Sequence, residues 1–123
     1  MQVVGTTNAE HYTWSSAINH QACDGWHLHR SPSLSVIEER MPPNTAERRH
    51  FHQHSTQFFY VLSGLLTIEL DGEEHRLPPH TGLTIPAETA HQVLNRSAED
   101  ARFLVISQPP SHGDRVTAES NGS

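Results

Sequence analysis

The stretch Arg49-His50-Phe51-His52-Gln53-His54 constrains this chain more than any other. Side chains along an extended strand point alternately to opposite faces, so His50, His52 and His54 fall on one side and Phe51 and Gln53 on the other. Imidazoles converging from one strand face form a site for a cation, and neutral imidazole favours Zn, Cu, Ni and Fe over Mg or Ca. After a short turn, Phe58-Phe59-Tyr60-Val61-Leu62 reads as a central strand closed by Gly64. A further histidine, His91, lies before Gln92-Val93-Leu94-Asn95, where it can complete the set from a neighbouring strand.

Short apolar runs with proline and glycine punctuation recur along the rest of the chain. Ser33 to Met41 reads as a long strand ended by Pro42-Pro43-Asn44-Thr45, and the histidine strand is expected from about Ala46 to His52. Asp71-Gly72 between Leu65–Leu70 and Glu73–Leu77 is a two-residue hairpin signal. Ala101 to Ser107 reads as a last, buried strand. Seven to nine such strands predict an all-β barrel or sandwich. Residues 1 to 24 show no clear period, and Glu10 to Ala17 reads as a short helix or as an arm laid over the barrel. Trp14 and Trp26 are expected to pack against something. Beyond Pro109-Pro110 the chain turns polar and reads as a frayed tail.

Composition narrows the function classes. A chain of 123 residues supports one core. A formal net charge of −6 disfavours nucleic acid as a partner. All eight basic residues are arginine, so no lysine is available for Schiff-base chemistry. Cys23 is the single cysteine, which excludes an intrachain disulfide. No apolar run approaches membrane-spanning length and the N-terminus lacks a signal-peptide pattern, so the expectation is a cytoplasmic protein with no membrane partner.

Two segments resemble the paired motifs of the cupin superfamily. His50-x-His52, four residues, Gln57, six residues and Gly64 follow the first motif, with Gln57 where the family places Glu. Pro86, His91 and Asn95 follow the second, with His80 and Glu88 where it places two glycines. The resemblance spans about residues 34 to 107 and implies a double-stranded β-helix, or jelly-roll barrel. The corresponding division is an N-terminal arm over 1–24, a barrel over 25–110 and a flexible tail over 111–123. The implied cofactor is a divalent transition metal (Zn, Fe, Ni, Mn or Cu) held by His50, His52 and His91. Gln57 would be a weak fourth ligand or a group behind the ligands, because its amide oxygen is neutral and cannot act as a base. His54 shares the face of the pair and offers an alternative His52/His54 pairing with a shorter gap to Gln57.

Phe59 and Val61 are in phase with Gln57, and Val93 and Asn95 with His91, so these four are candidates for a substrate pocket as well as for plain core. Phe58, Tyr60 and Leu62 point the other way. Glu38 reads as exposed or as lying behind the ligands. Glu88 and His80 suggest turns altered from the family pattern. The resemblance further implies a homodimer. The expected function is a metal-binding cupin, in one reading an enzyme of dioxygenase, isomerase or lyase type acting on a small oxygenated or aromatic molecule. The other reading is a non-catalytic small-molecule binder or sensor.

Overall fold

A computed structural model describes residues 2–118. Its strands are β1 (Glu10–Ser15), β2 (Ala22–Arg30), β3 (Ser35–Met41), β4 (Thr45–Ala46), β5 (His50–His52) and β6 (Thr56–Ser63). They continue with β7 (Leu66–Leu70), β8 (Glu73–Leu77), β9 (Gly82–Ile85), β10 (His91–Asn95), β11 (Ala101–Gln108) and β12 (Arg115–Thr117). Two antiparallel sheets face each other, one ordered β1-β2-β3-β11-β6-β9 and the other β12-β5-β10-β7-β8, with β4 also on β10. This is the all-β, double-stranded β-helix architecture that the motifs imply. No helix among the described residues is long and apolar enough to cross a membrane.

Alternation builds the core. Along β11, Ala101, Phe103, Val105 and Ser107 are buried while Arg102, Leu104 and Ile106 are partly exposed. Phe103 meets Phe59 of β6 with ring centroids 5.9 Å apart, and Val61, Ile68, Val93 and Met41 close around them. Burying each of the larger side chains contributes roughly 1.5–3 kcal/mol.

Three expectations are corrected. Residues 10–15 form neither helix nor loose arm but an edge strand, paired with β2 from Glu10↔His27 to Ser15↔Ala22. Tyr12 and Trp14 are its partly buried residues, so the strand period was present in the aromatics, and a boundary at residue 25 cuts through β2. The expected strand from Ala46 to His52 is split into β4 and β5 by residues 47–49. The tail is ordered through its first part: Arg115–Thr117 pair with β5, and the Asp114 carboxylate accepts the backbone N–H groups of Gln53, His54 and Ser55. An edge strand of three residues gains from such a cover, because its outer N–H and C=O groups otherwise lack partners. Residues 119–123 of the expected tail lie outside the described residues.

His80 (φ 66°) and Glu88 (φ 65°), in the turns before β9 and β10, both adopt the left-handed backbone that favours glycine. The Glu88 N–H donates to the His52 carbonyl at 2.6 Å, tying this turn to the histidine strand. A residue with a Cβ is strained there by about 1 kcal/mol or somewhat more. Glu88→Gly is therefore expected to keep the fold and raise stability by about 0.5–1 kcal/mol, measured by chemical denaturation. A loss of that size would mean that the turn depends on the glutamate side chain.

Candidate metal centre

Backbone register brings the histidines together. β5 and β10 are antiparallel neighbours with His50 directly opposite His91, and His52 lies two residues on along the same face. Ring centroids are 4.5 Å apart for His50 and His91, 4.8 Å for His50 and His52, and 5.8 Å for His52 and His91. One ligand-capable nitrogen from each ring lies within 4.8 Å of the others. An ion with metal–nitrogen bonds of about 2.0–2.1 Å can draw such a set together by small ring rotations. The side chains are buried, at 3% exposure for His50, 6% for His52 and 0% for His91.

Burial also sets their protonation. It pushes His50 and His52 down to about 4, helped by Arg115 at His50 and by the neighbouring imidazoles at His52. His91 is lowered by burial as well, against an opposing pull from Glu47. The rings are therefore neutral near pH 7, the form that binds metal. His50 donates Nδ1–H to the Arg48 carbonyl at 2.7 Å, and His91 donates Nδ1–H to the Thr89 carbonyl at 2.9 Å. These bonds leave the Nε2 lone pairs free, as carbonyls behind metal-ligating histidines commonly do. Arg115 Nη2, 3.2 Å from the same Arg48 carbonyl, shares that acceptor.

The orphaned atoms are the test of fit. His91 Nε2, His52 Nδ1 and Gln57 Oε1 are buried without hydrogen-bond partners. Unpaired buried acceptors are costly, and several in one place suit an electron-pair acceptor such as a cation. Gln57 comes from β6 of the opposite sheet. Its Nε2–H is committed to Ser107 Oγ, its cross-strand partner, at 3.0 Å, so the amide presents oxygen to the interior. The three clustered histidines have the arrangement to hold a metal ion.

The other expected residues divide. His54 is exposed in the bend after β5, where its backbone N–H is held by Asp114, and it is not among the clustered rings. Phe59 lines a cavity of about 270 Å³ together with His50, His52 and Gln57. Val61 and Val93 sit in the apolar core instead. Asn95 is fully buried and spent on structure: its Nδ2 donates to the Met41 and Glu99 carbonyls, and its Oδ1 accepts from Ser97. Glu38 faces away and pairs with Arg102 at 2.9 Å.

Among the residues of this cavity that sequence reasoning missed are Tyr12, Glu39, Glu47 and Arg115. Burial pushes Glu39 up to about 7 and also raises Glu47. Tyr12 donates its hydroxyl to Glu39 Oε2 at 2.6 Å, and its own ionisation is raised by burial and by that carboxylate. A signal for Glu39 existed, since it keeps the phase of the apolar Met41, which is fully buried at the end of β3. Tyr12 and Arg115 lay in segments read as arm and tail.

The cupin-domain family profile matches residues 37–107, more than half of the chain. The chain belongs to the cupin family. Among curated relatives of this cupin, polyketide synthase CurC of Streptomyces cyaneus is 36% identical over 69 residues, covering 56% of this chain and 45% of that protein. Quercetin 2,3-dioxygenase of Bacillus subtilis is 43% identical over 56 residues, covering 46% of this chain and 17% of that protein. The cupin thus spans less than half the length of either. The polyketide cyclase RemF of Streptomyces resistomycificus superposes with a TM-score of 0.78 at 21% identity, covering 98% of this chain and 88% of that one, a likeness of fold.

Because burial disfavours the charged imidazoles, His50 and His52 of the metal-free cupin are expected to stay neutral down to about pH 5 and to take up protons only near 4. Proton NMR titration of the imidazole resonances measures this. Midpoints near the ordinary value of about 6.5 would contradict a closed, desolvated cluster.

Proposed function

We propose that this cupin is a metal-dependent enzyme acting on a small oxygenated or aromatic molecule, by chemistry of isomerase, lyase or dioxygenase type. The observation that carries the reading is the shared cavity, in which the neutral imidazoles of His50 and His52 and the unpartnered Gln57 oxygen line the same space as an acidic residue, Glu39, with His91 clustered beside the two rings. The names of the relatives agree with it, one being a quercetin dioxygenase and another a polyketide synthase component. His50, His52 and His91 would hold the metal, with Gln57 as a weak fourth donor. Once bound there, such a metal supplies Lewis acidity, polarising a substrate oxygen and favouring negative charge on it.

The chain's own residues supply the rest. Phe59, Ile37 and Val105 give the chamber apolar walls against which a ring can lie. The carbonyls of Arg48 and Thr89 keep the metal-facing nitrogens of His50 and His91 unprotonated. Ser107 holds the Gln57 amide in one orientation. Arg115 brings positive charge to the rim, and neutral ligands leave more of the metal's charge in place for substrate.

A non-catalytic binder is the second reading, and one feature favours it: the family's ligating carboxylate position holds Gln57, which cannot accept a proton. Metal analysis of natively purified protein tests both. About one transition metal per chain is expected, and His50→Ala or His91→Ala is expected to weaken retention by at least about 100-fold. A metal-free wild type with unchanged variants would overturn the metal reading. Turnover of a bound oxygenated aromatic, lost on chelation, then separates enzyme from binder.

A further inference from the structure

We propose that Glu39 is the proton acceptor for substrate in this cavity and that Tyr12 is the residue that positions and tunes it. The proposal rests on the substrate-chamber reading above. Its geometric basis is a row across the first sheet: Tyr12 of β1 pairs with Gly25 of β2, and Gly25 pairs with Glu39 of β3. Neighbouring strands are about 4.8 Å apart, so two strand spacings separate Tyr12 from Glu39, and only a long side chain crossing the middle strand can close them. Gly25 leaves that path open. A Cβ there would lie 2.1 Å from Tyr12 Cζ and 2.3 Å from its hydroxyl oxygen. The phenol therefore lies over the glycine and ends 2.6 Å from Glu39 Oε2.

A ring covering a cross-strand glycine needs no hydroxyl, so packing explains the ring and not the bond to the carboxylate. Glu39 also has no arginine partner within ion-pair distance among the described residues. Its neighbour Glu38 pairs with Arg102, Glu69 with Arg49 and Glu74 with Arg96. A part-buried carboxylate beside a cavity, with one side-chain hydrogen bond and no arginine within ion-pair distance, is poised to take a proton.

The pair also borders more than one cavity. Tyr12 is common to the histidine chamber and to two further cavities of about 830 and 600 Å³, one lined by Trp14, Glu47 and Arg48 and one walled by Ile37 and Pro110. Glu39 lines the chamber and the larger of the two. Tyr12 lies outside the segment matched by the family profile, so this half of the pair belongs to the chain's own flank.

In the step, an O–H or activated C–H bond of the substrate breaks and its electron pair stays on the substrate as a phenolate or enolate. The proton goes to Glu39 Oε1, while Tyr12 keeps its own proton and continues to donate to Oε2. The charged and titratable groups facing Glu39 are Tyr12 and, against the phenol at 5.0 Å, His27 from β1 and β2, Glu47 from the β4–β5 segment, His50 and His52 from β5, His112 before β12 and Arg115 at its start. Burial and Glu47 raise the carboxyl, whereas the Tyr12 bond and Arg115 lower it, with the balance at about 7. Removing the Tyr12 donor must therefore move the carboxyl, and with it the pH at which base is available, upward.

The test uses the full chain and quercetin as an oxygenated aromatic probe, with metal content measured in every variant. Carboxyl-carbon NMR of the metal-free wild type is expected to show Glu39 titrating near 7, and a midpoint in the ordinary range of about 4.3 overturns the proposal. Wild-type protein is expected to bind quercetin and promote its deprotonation, seen as a red-shifted absorption band with a midpoint near pH 7. Glu39→Gln should move that midpoint by at least one pH unit at unchanged metal content. Tyr12→Phe should raise the Glu39 carboxyl midpoint and the absorption midpoint together, and Gly25→Ala, which displaces the phenol without altering either group, should act in the same direction. Binding by wild type with the same profile in Glu39→Gln overturns the role of the pair and leaves the chamber reading standing. Failure of wild type to bind quercetin contradicts the aromatic-substrate reading itself, and thermal unfolding shows whether each variant remains folded.

Discussion

The site depends on one backbone pairing, the antiparallel register that sets His50 of β5 opposite His91 of β10. β5 has only three residues, so it has little pairing of its own to hold that register. Neighbours hold it instead. β12 covers its other edge, Asp114 accepts the amides of the bend that follows, and the left-handed Glu88 donates its N–H to the His52 carbonyl. A slip of one residue would turn His50 and His52 to the outside and bring Phe51 in. The strain at Glu88 and the ordering of the C-terminal segment both act against that slip.

Desolvation then converts geometry into chemistry. Burial lowers the three imidazoles, which keeps them neutral, and raises the Glu39 carboxyl to about 7. Histidines and acids are pushed in opposite directions by the same environment, so the chamber contains unprotonated donors for a metal on one wall and a carboxyl of near-neutral pKa on the other. The two walls come from different sheets. β5 supplies His50 and His52, with His91 of β10 clustered beside them, whereas β3 and β6 supply Glu39 and Gln57. Gln57 replaces the family's charged ligand, and Glu39 places a titratable carboxyl in the same cavity without occupying the ligand position.

Much of this was legible in the residues. His50 and His52 at a spacing of two announce a shared strand face, and Asp71-Gly72 forms the turn its residues demand, with φ of 52° and 91°. His91 was placed by the resemblance of Pro86, His91 and Asn95 to the second cupin motif. What could not be read depended on contacts distant in sequence. Asn95 carries a polar side chain in phase with His91, and only the fold shows it tying down the Met41 and Glu99 carbonyls rather than facing a ligand. Glu38 and Glu39 are adjacent and identical, so the phase of β3 alone decides which enters the barrel. Tyr12 needs Gly25 and Glu39 in one row, a relation set by two strand pairings. Asp114 looks like part of a polar tail until the bend it caps is seen.

X-ray absorption spectroscopy of the metal-loaded protein tests the central claim most directly, because it counts imidazole ligands without knowledge of the substrate. The account predicts a signal from three imidazoles with additional oxygen scatterers, reduced to two imidazoles in His91→Ala. A wild-type spectrum with one imidazole or none, or one unchanged in His91→Ala, would place the metal elsewhere and contradict the meeting of β5 and β10 around a common ion.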